Sequence, residues 1–153
     1  NLGENIFYSG TVAAAAEGVK YGIPAIAMSV DSRANADFSE AAAFAPKLAA
    51  QVLRRGLPAG VALNVNVPCP WSKGIEVTRQ SQKISRNLMV EVFDPYERPY
   101  YWMHEEVPVD EAEPGTDYAA IRDGKISITP IRFDHTEESL IDEVGRWMNG
   151  DEL

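Results

Sequence analysis

Residues 9–30 read SGTVAAAAEGVKYGIPAIAMSV, and their pattern decides the fold class. Ser9 is a favoured N-cap, the alanine-rich run over 11–21 is a strong helix former, and Gly22 with Pro24 forms a stop signal. The small residues 13–16 let such a helix lie close against a sheet. The short apolar run at 24–30 is bounded by turn residues, as in a strand covered on both faces. After the polar loop DSRANAD, residues 39–55 place apolar side chains at 41, 44, 45, 48, 49, 52 and 53, a helical period that Gly56 ends. Pro46 falls inside that helix, where a missing N–H and a ring clash predict a kink or a division. In GVALNVNVP (60–68), Val61, Leu63, Val65 and Val67 alternate with Ala62, Asn64 and Asn66, so the spacing predicts a strand with one apolar face and one face of amides. Helix, strand, helix, strand in this order is the pattern of an α/β core.

From Lys73 onward the texture changes. KGIEVTRQ, MVEVFDP, PYYWMH, DYAAI and KISITPI read as short strands between Gly, Pro and Asp turns. Asp123-Gly124 reads as the two-residue turn of a hairpin between YAAIR and KISIT. A closing helix is expected from an N-cap at Thr136, with Glu137 and Glu138 in its first turn and Leu140, Ile141, Val144, Trp147 and Met148 on one face. The chain therefore divides into 1–72, 73–135 and 136–153.

With 153 residues, of which 45% are hydrophobic, the chain is large enough for one domain with a core. Its 14 basic residues against 23 acidic ones give a net charge of −9, a field that repels nucleic acid polymers and anionic membranes. Neither a membrane-spanning run nor a signal peptide is visible. Cys69 is the single cysteine, without an internal partner and flanked by prolines, so a structural role in a reducing, cytoplasmic setting is expected.

Candidate chemistry gathers at the first helix. Ser9, Gly10 and Thr11 combine free N–H groups, the positive end of the helix dipole, two hydroxyls and a glycine that admits a ligand to the backbone. Plain capping explains the same residues. Asn1 and Asn5 are amide donors or ordinary turn residues. Asp117, after a Gly-Thr turn, fits an Asx turn or a site carboxylate. His104 and His135 lack the spacing of a zinc site, and Glu105, Glu106, Asp110, Glu111 and Glu113 read as a solvated acidic loop. Tyr96, Tyr100, Tyr101 and Trp102 form an aromatic patch that calls for cover by another subunit or domain. The chain carries no nucleophile with an adjacent base and no glycine-rich phosphate loop.

Taken in order, NLGENIFYSGTVAAAAEG, GIPAIAMSV, LNVNVP, KGIEVTRQ, YYWM, PGTDYAAI and KISITPI resemble the SurE family, nucleotidases and acid phosphatases that remove phosphate from nucleoside monophosphates. The likeness runs from residue 1 to about residue 148. It implies a Rossmann-like three-layer α/β core, here in part over 1–72, a β-rich extension with an oligomerisation hairpin over 73–135, and a C-terminal helix and tail. It also implies a divalent metal, Mg or Mn, held by an Asp-Asp pair, a Ser and an Asn that would lie upstream of Asn1. No metal ligand falls in this chain. Asn1, Ser9, Gly10 and Thr11 would hold the phosphate, with Asp117 and Asp134 as supporting residues. No catalytic residue is assigned, and the chain by itself is expected to be inactive. Asn5 stands where the family often has an acid, and Glu138 stands where it often has a histidine; Asp134 matches. The partners implied are a nucleoside monophosphate and further copies of the chain, as a homodimer or homotetramer, with no nucleic acid polymer and no membrane. A complete, non-catalytic phosphate-binding or oligomerisation module is the alternative.

Overall fold

The computed structural model describes residues 1–32, 35–82, 86–106 and 112–149. A 3-10 turn over Gly3–Tyr8 leads into α1 (Gly10–Lys20), followed by β1 (Ala25–Asp31), α2 (Ser39–Arg55), β2 (Val61–Pro68) and β3 (Ile75–Val77). Next come β4 (Arg86–Phe93), β5 (Pro99–Glu106), α3 (Asp117–Arg122), β6 (Ile126–Arg132), a 3-10 turn over Glu138–Leu140, and α4 (Ile141–Asn149).

The main sheet has the order β1-β2-β6-β3. β1 and β2 are parallel and joined through α2, as the βαβ reading requires. β2 and β6 are antiparallel, and β6 and β3 parallel. Period-two alternation explains β2, but the structure covers both of its faces. Leu63, Val65 and Val67 pack with Ala41 and Val52 of α2, while Ala62 packs with Val12 and Ala15 of α1. The result is three layers, α1, sheet and α2. The small residues of α1 serve the close approach. A Cβ on Gly18 would lie 3.3 Å from the Cβ of Ala25, so β1 begins almost against the helix backbone.

Four local expectations are corrected. α2 runs unbroken over Ser39–Arg55 with Pro46 inside it. Ala41, Phe44, Leu48 and Val52 face the core and Pro46 is exposed, so the carbonyl that the proline leaves without a partner is on the solvent side. DYAAI is a helix and not a strand: Thr116 Oγ1 accepts from the Ala119 N–H (3.3 Å), and Asp117 is fully buried at its start. Asp123-Gly124 is accordingly the end of α3 and not a hairpin turn. Gly124, at φ 74, donates to Ile121 O (2.9 Å), and Lys125 donates to Ala120 O (2.8 Å), a glycine-dependent helix stop. The closing helix begins at Ile141 and not after Thr136, because the Thr136 N–H donates to the Asp134 carboxylate and a 3-10 turn intervenes.

β3 and β6, both from the 73–135 segment, lie in the core sheet. β4 and β5 form a separate two-stranded sheet. Pro130 is tolerated in β6 because β3 pairs only as far as Ile128, leaving that stretch of β6 at an edge.

Candidate phosphate-binding site

β1 and β2 supply a floor of buried polar groups. Asn64 and Asn66 are 0% and 1% exposed, and both donate through Nδ2 to the Asn1 carbonyl, at 2.8 and 3.1 Å. Asn66 Oδ1 accepts from the Asn1 main-chain nitrogen (2.8 Å), and the Asn1 side-chain amide donates to Ser29 Oγ of β1. The amide face of β2 is therefore the seat of the opening loop. Asn64 Oδ1 is buried and has no partner among the described residues, a deficit that folded proteins rarely leave without a donor.

The loop is also held from the side. Asp117 accepts from the Gly3 N–H (2.8 Å) through Oδ2, and from the Ser81 N–H (3.0 Å), the Ser81 hydroxyl and the Tyr118 N–H (2.8 Å) through Oδ1. Gln80 Nε2 donates to the Gly3 carbonyl (3.1 Å). With its oxygens shared among four donors and no exposure, Asp117 is a strut between the opening loop, the segment that follows β3 and the start of α3, beyond either an Asx turn or an open site carboxylate. Behind it, the Thr78 hydroxyl bonds those of Ser127 (2.8 Å) and Thr129 (2.7 Å), all three buried.

From Gly3 the 3-10 turn carries the chain to α1. Ser9 Oγ accepts from the Val12 N–H (3.1 Å), so Ser9 is a true cap. The first N–H groups of a helix have no acceptor within it, which leaves those of Gly10 and Thr11 directed outward. Thr11 is exposed, and a Cβ on Gly10 would meet nothing within 4 Å. An anion can approach this helix start without displacing protein.

Asp134 is placed differently. It is exposed, and its carboxyl is held below the usual carboxylate range by the Thr136 hydroxyl and main-chain N–H, with lesser help from Arg132 and His135. Its neighbours Phe133 and His135 line a cleft together with Ser9. Of the residues read as an acidic loop, Glu105 and Glu106 belong to β5, Glu113 pairs with Arg79 (2.5 Å), and Asp110 and Glu111 lie outside the described residues. Among the described residues no group of three or more His, Cys, Asp or Glu is arranged to hold a metal. No described helix is long and apolar enough to cross a membrane. Sequence reasoning missed Ser29, Gln80 and Ser81. The amide alternation of β2 was the available signal for Asn64 and Asn66.

The architecture is a three-layer α/β core in which a helix start with free backbone donors follows a loop seated on β1 and β2, an arrangement that can receive an anion. The family model for survival protein SurE matches residues 1–87, and the chain belongs to the SurE family. It is 44% identical over 150 residues to the 5'-nucleotidase SurE of Symbiobacterium thermophilum, covering 96% of this chain and 59% of that protein. It is 46% identical over 153 residues to that of Heliobacterium modesticaldum, covering 98% and 56%. The crystal structure of the SurE protein from Aquifex aeolicus superposes with a TM-score of 0.84 at 39% identity, covering 98% of this chain and 61% of that one. The chain thus spans a little over half the length of the curated relatives it matches.

Proposed function

We propose that this chain supplies the phosphate-binding and self-association parts of a divalent-metal-dependent, cytoplasmic 5'-nucleotidase that hydrolyses nucleoside monophosphates. The observation that carries the reading is the open start of α1 in a chain whose relatives are named 5'-nucleotidases. The N–H groups of Gly10 and Thr11 donate to phosphate oxygens. Ser9 Oγ, while accepting from Val12, still has its proton to donate, and the Thr11 hydroxyl adds a further donor. As negative charge grows on the phosphoryl oxygens, these prepositioned donors hold it more tightly. Asn1 fixes the near end of the loop, and Asp117 fixes it at Gly3. The metal, Mg or Mn, supplies Lewis-acid chemistry from ligands outside this chain.

The test is phosphate release from adenosine monophosphate, with Mg or Mn, by a protein carrying this chain at its relatives' full length. Activity is expected there and absent from the 153-residue chain alone. No metal-dependent release by the longer protein would sink the reading. The exposed aromatics of the β4–β5 hairpin and the apolar face of α4 support the self-association half.

A further inference from the structure

The opening loop is held by side chains from far along the sequence, and its tightest point is Gly3. That residue is buried, at φ 49, and both of its main-chain polar groups are claimed. Its N–H donates to Asp117 (2.8 Å), and its carbonyl accepts from Gln80 Nε2 (3.1 Å). From Gly3 a single 3-10 turn leads to Ser9, closed by bonds of its own, Asn5 N–H to Leu2 O (3.1 Å) and Ser9 N–H to Ile6 O (3.3 Å). Ile6 is fixed in the core beside Val12, so the turn can pivot about it while its two ends move. A displacement of Gly3 is therefore carried to the donors at the α1 start.

Gln80 is itself placed from both sides. Before it, the Arg79 N–H donates to Gly115 O (3.0 Å), Arg79 O accepts from the Asp117 N–H (2.9 Å), and the Arg79 side chain pairs with Glu113. After it, the Ser81 N–H donates to Asp117 (3.0 Å). The backbone at 79–81 is thus anchored without help from the Gln80 side chain, which is half-buried and gives its amide to the loop. Asp117 joins three segments and serves folding. A neutral, partly solvated bond such as that of Gln80 adds little to folding, yet its position matters to binding. Donors act on a developing oxyanion only at about 2.7–3.1 Å, and a misplacement of about 1 Å costs on the order of 100-fold. We propose that Gln80 is a positioning residue for the phosphate site: by holding the Gly3 carbonyl it sets where Ser9, Gly10 and Thr11 present their donors. This rests on the phosphate-site reading above and adds a residue from the segment after β3, which touches no phosphate itself.

The experiment is titration of the 153-residue chain with inorganic phosphate, followed by NMR, in the parent, Gln80→Met and Gln80→Asn. Methionine keeps the length of glutamine without a donor, and asparagine keeps the amide without the reach. In both, phosphate is expected to bind about tenfold more weakly, with a urea midpoint close to the parent's. In the free variants the amide signals of Glu4, whose peptide contains the Gly3 carbonyl, and of Gly10 and Thr11 are expected to shift. Gln82→Met, at an exposed neighbour lining the same cleft as Gln80, is expected to change none of these. Parent-like affinity in Gln80→Met and Gln80→Asn overturns the positioning role while phosphate binding stands. Weaker binding that comes with a lowered urea midpoint and unmoved Gly10 and Thr11 signals makes Gln80 a merely structural residue and also overturns it. A parent chain that binds no phosphate overturns the phosphate-site reading and the positioning role together.

Discussion

At Gly10 a Cβ would meet no protein atom within 4 Å, so substitution there separates folding from binding. Gly10→Val is expected to leave stability within about 0.5 kcal/mol of the parent, while phosphate affinity, read by titration, is lost because the isopropyl group occupies the approach to the backbone. Asp117 has the opposite character. Asp117→Ala removes the acceptor of Gly3, Ser81 and Tyr118 and is expected to cost about 3 kcal/mol in urea unfolding, with faster exchange of the Gly3 and Ser81 amides. A stability loss below about 0.5 kcal/mol would show that the strut carries no weight. Asn64 and Asn66 follow the same logic in part: the Nδ2 group of each donates to the Asn1 carbonyl, which offsets its burial, whereas Asn64 Oδ1 finds no partner among the described residues.

The β4–β5 hairpin depends on its turn more than on a core, since Met89, Val90, Phe93, Tyr101 and Trp102 are all exposed. Asp94 accepts from the Tyr96 N–H (2.8 Å), the Arg98 N–H (3.0 Å) and Arg98 Nε (2.7 Å). Arg98, through its main-chain N–H and then its guanidinium, holds the Asp94 carboxyl below its usual value. A carboxyl depressed in the folded state favours folding above its unfolded pKa, about 3.9, and loses that contribution as pH falls through the folded value. The turn is therefore expected to be unchanged from pH 7 to 5 and to loosen below about pH 4, read from the Tyr96 and Arg98 amide signals. Asp94→Asn should flatten that response; an undiminished acid transition in the variant would rule Asp94 out as its origin. At this scale the hairpin strands and α2 were legible because their signals are local. The α3 segment was not, since DYAAI is short enough for either state and its buried Asp117 and Thr116 cap decide for helix.

At the scale of the whole molecule, the hairpin and the face formed by Leu140, Ile141, Val144, Trp147 and Met148 at α4 and the turn before it are among the places where the described residues leave apolar side chains uncovered. Self-association through them is expected, with native mass above that of one chain. Trp102→Ser combined with Trp147→Ser should lower it, and a monomeric parent would refute the expectation. The sequence alone determined where α1 and α2 run, that β2 alternates, and that the α1 start is rich in donors, because caps, stops and periodicity are read within a few residues. The ordered motifs carried the family. Only the tertiary structure decided that β6 lies beside β2, that the amide face of β2 is an interior seat for the loop, and that Asp117 is a strut. Those outcomes join Asn64 to Asn1 across 63 positions and Asp117 to Gly3 across 114. A buried polar group must be satisfied by some partner, and a local pattern records the need for one without saying which distant segment will supply it.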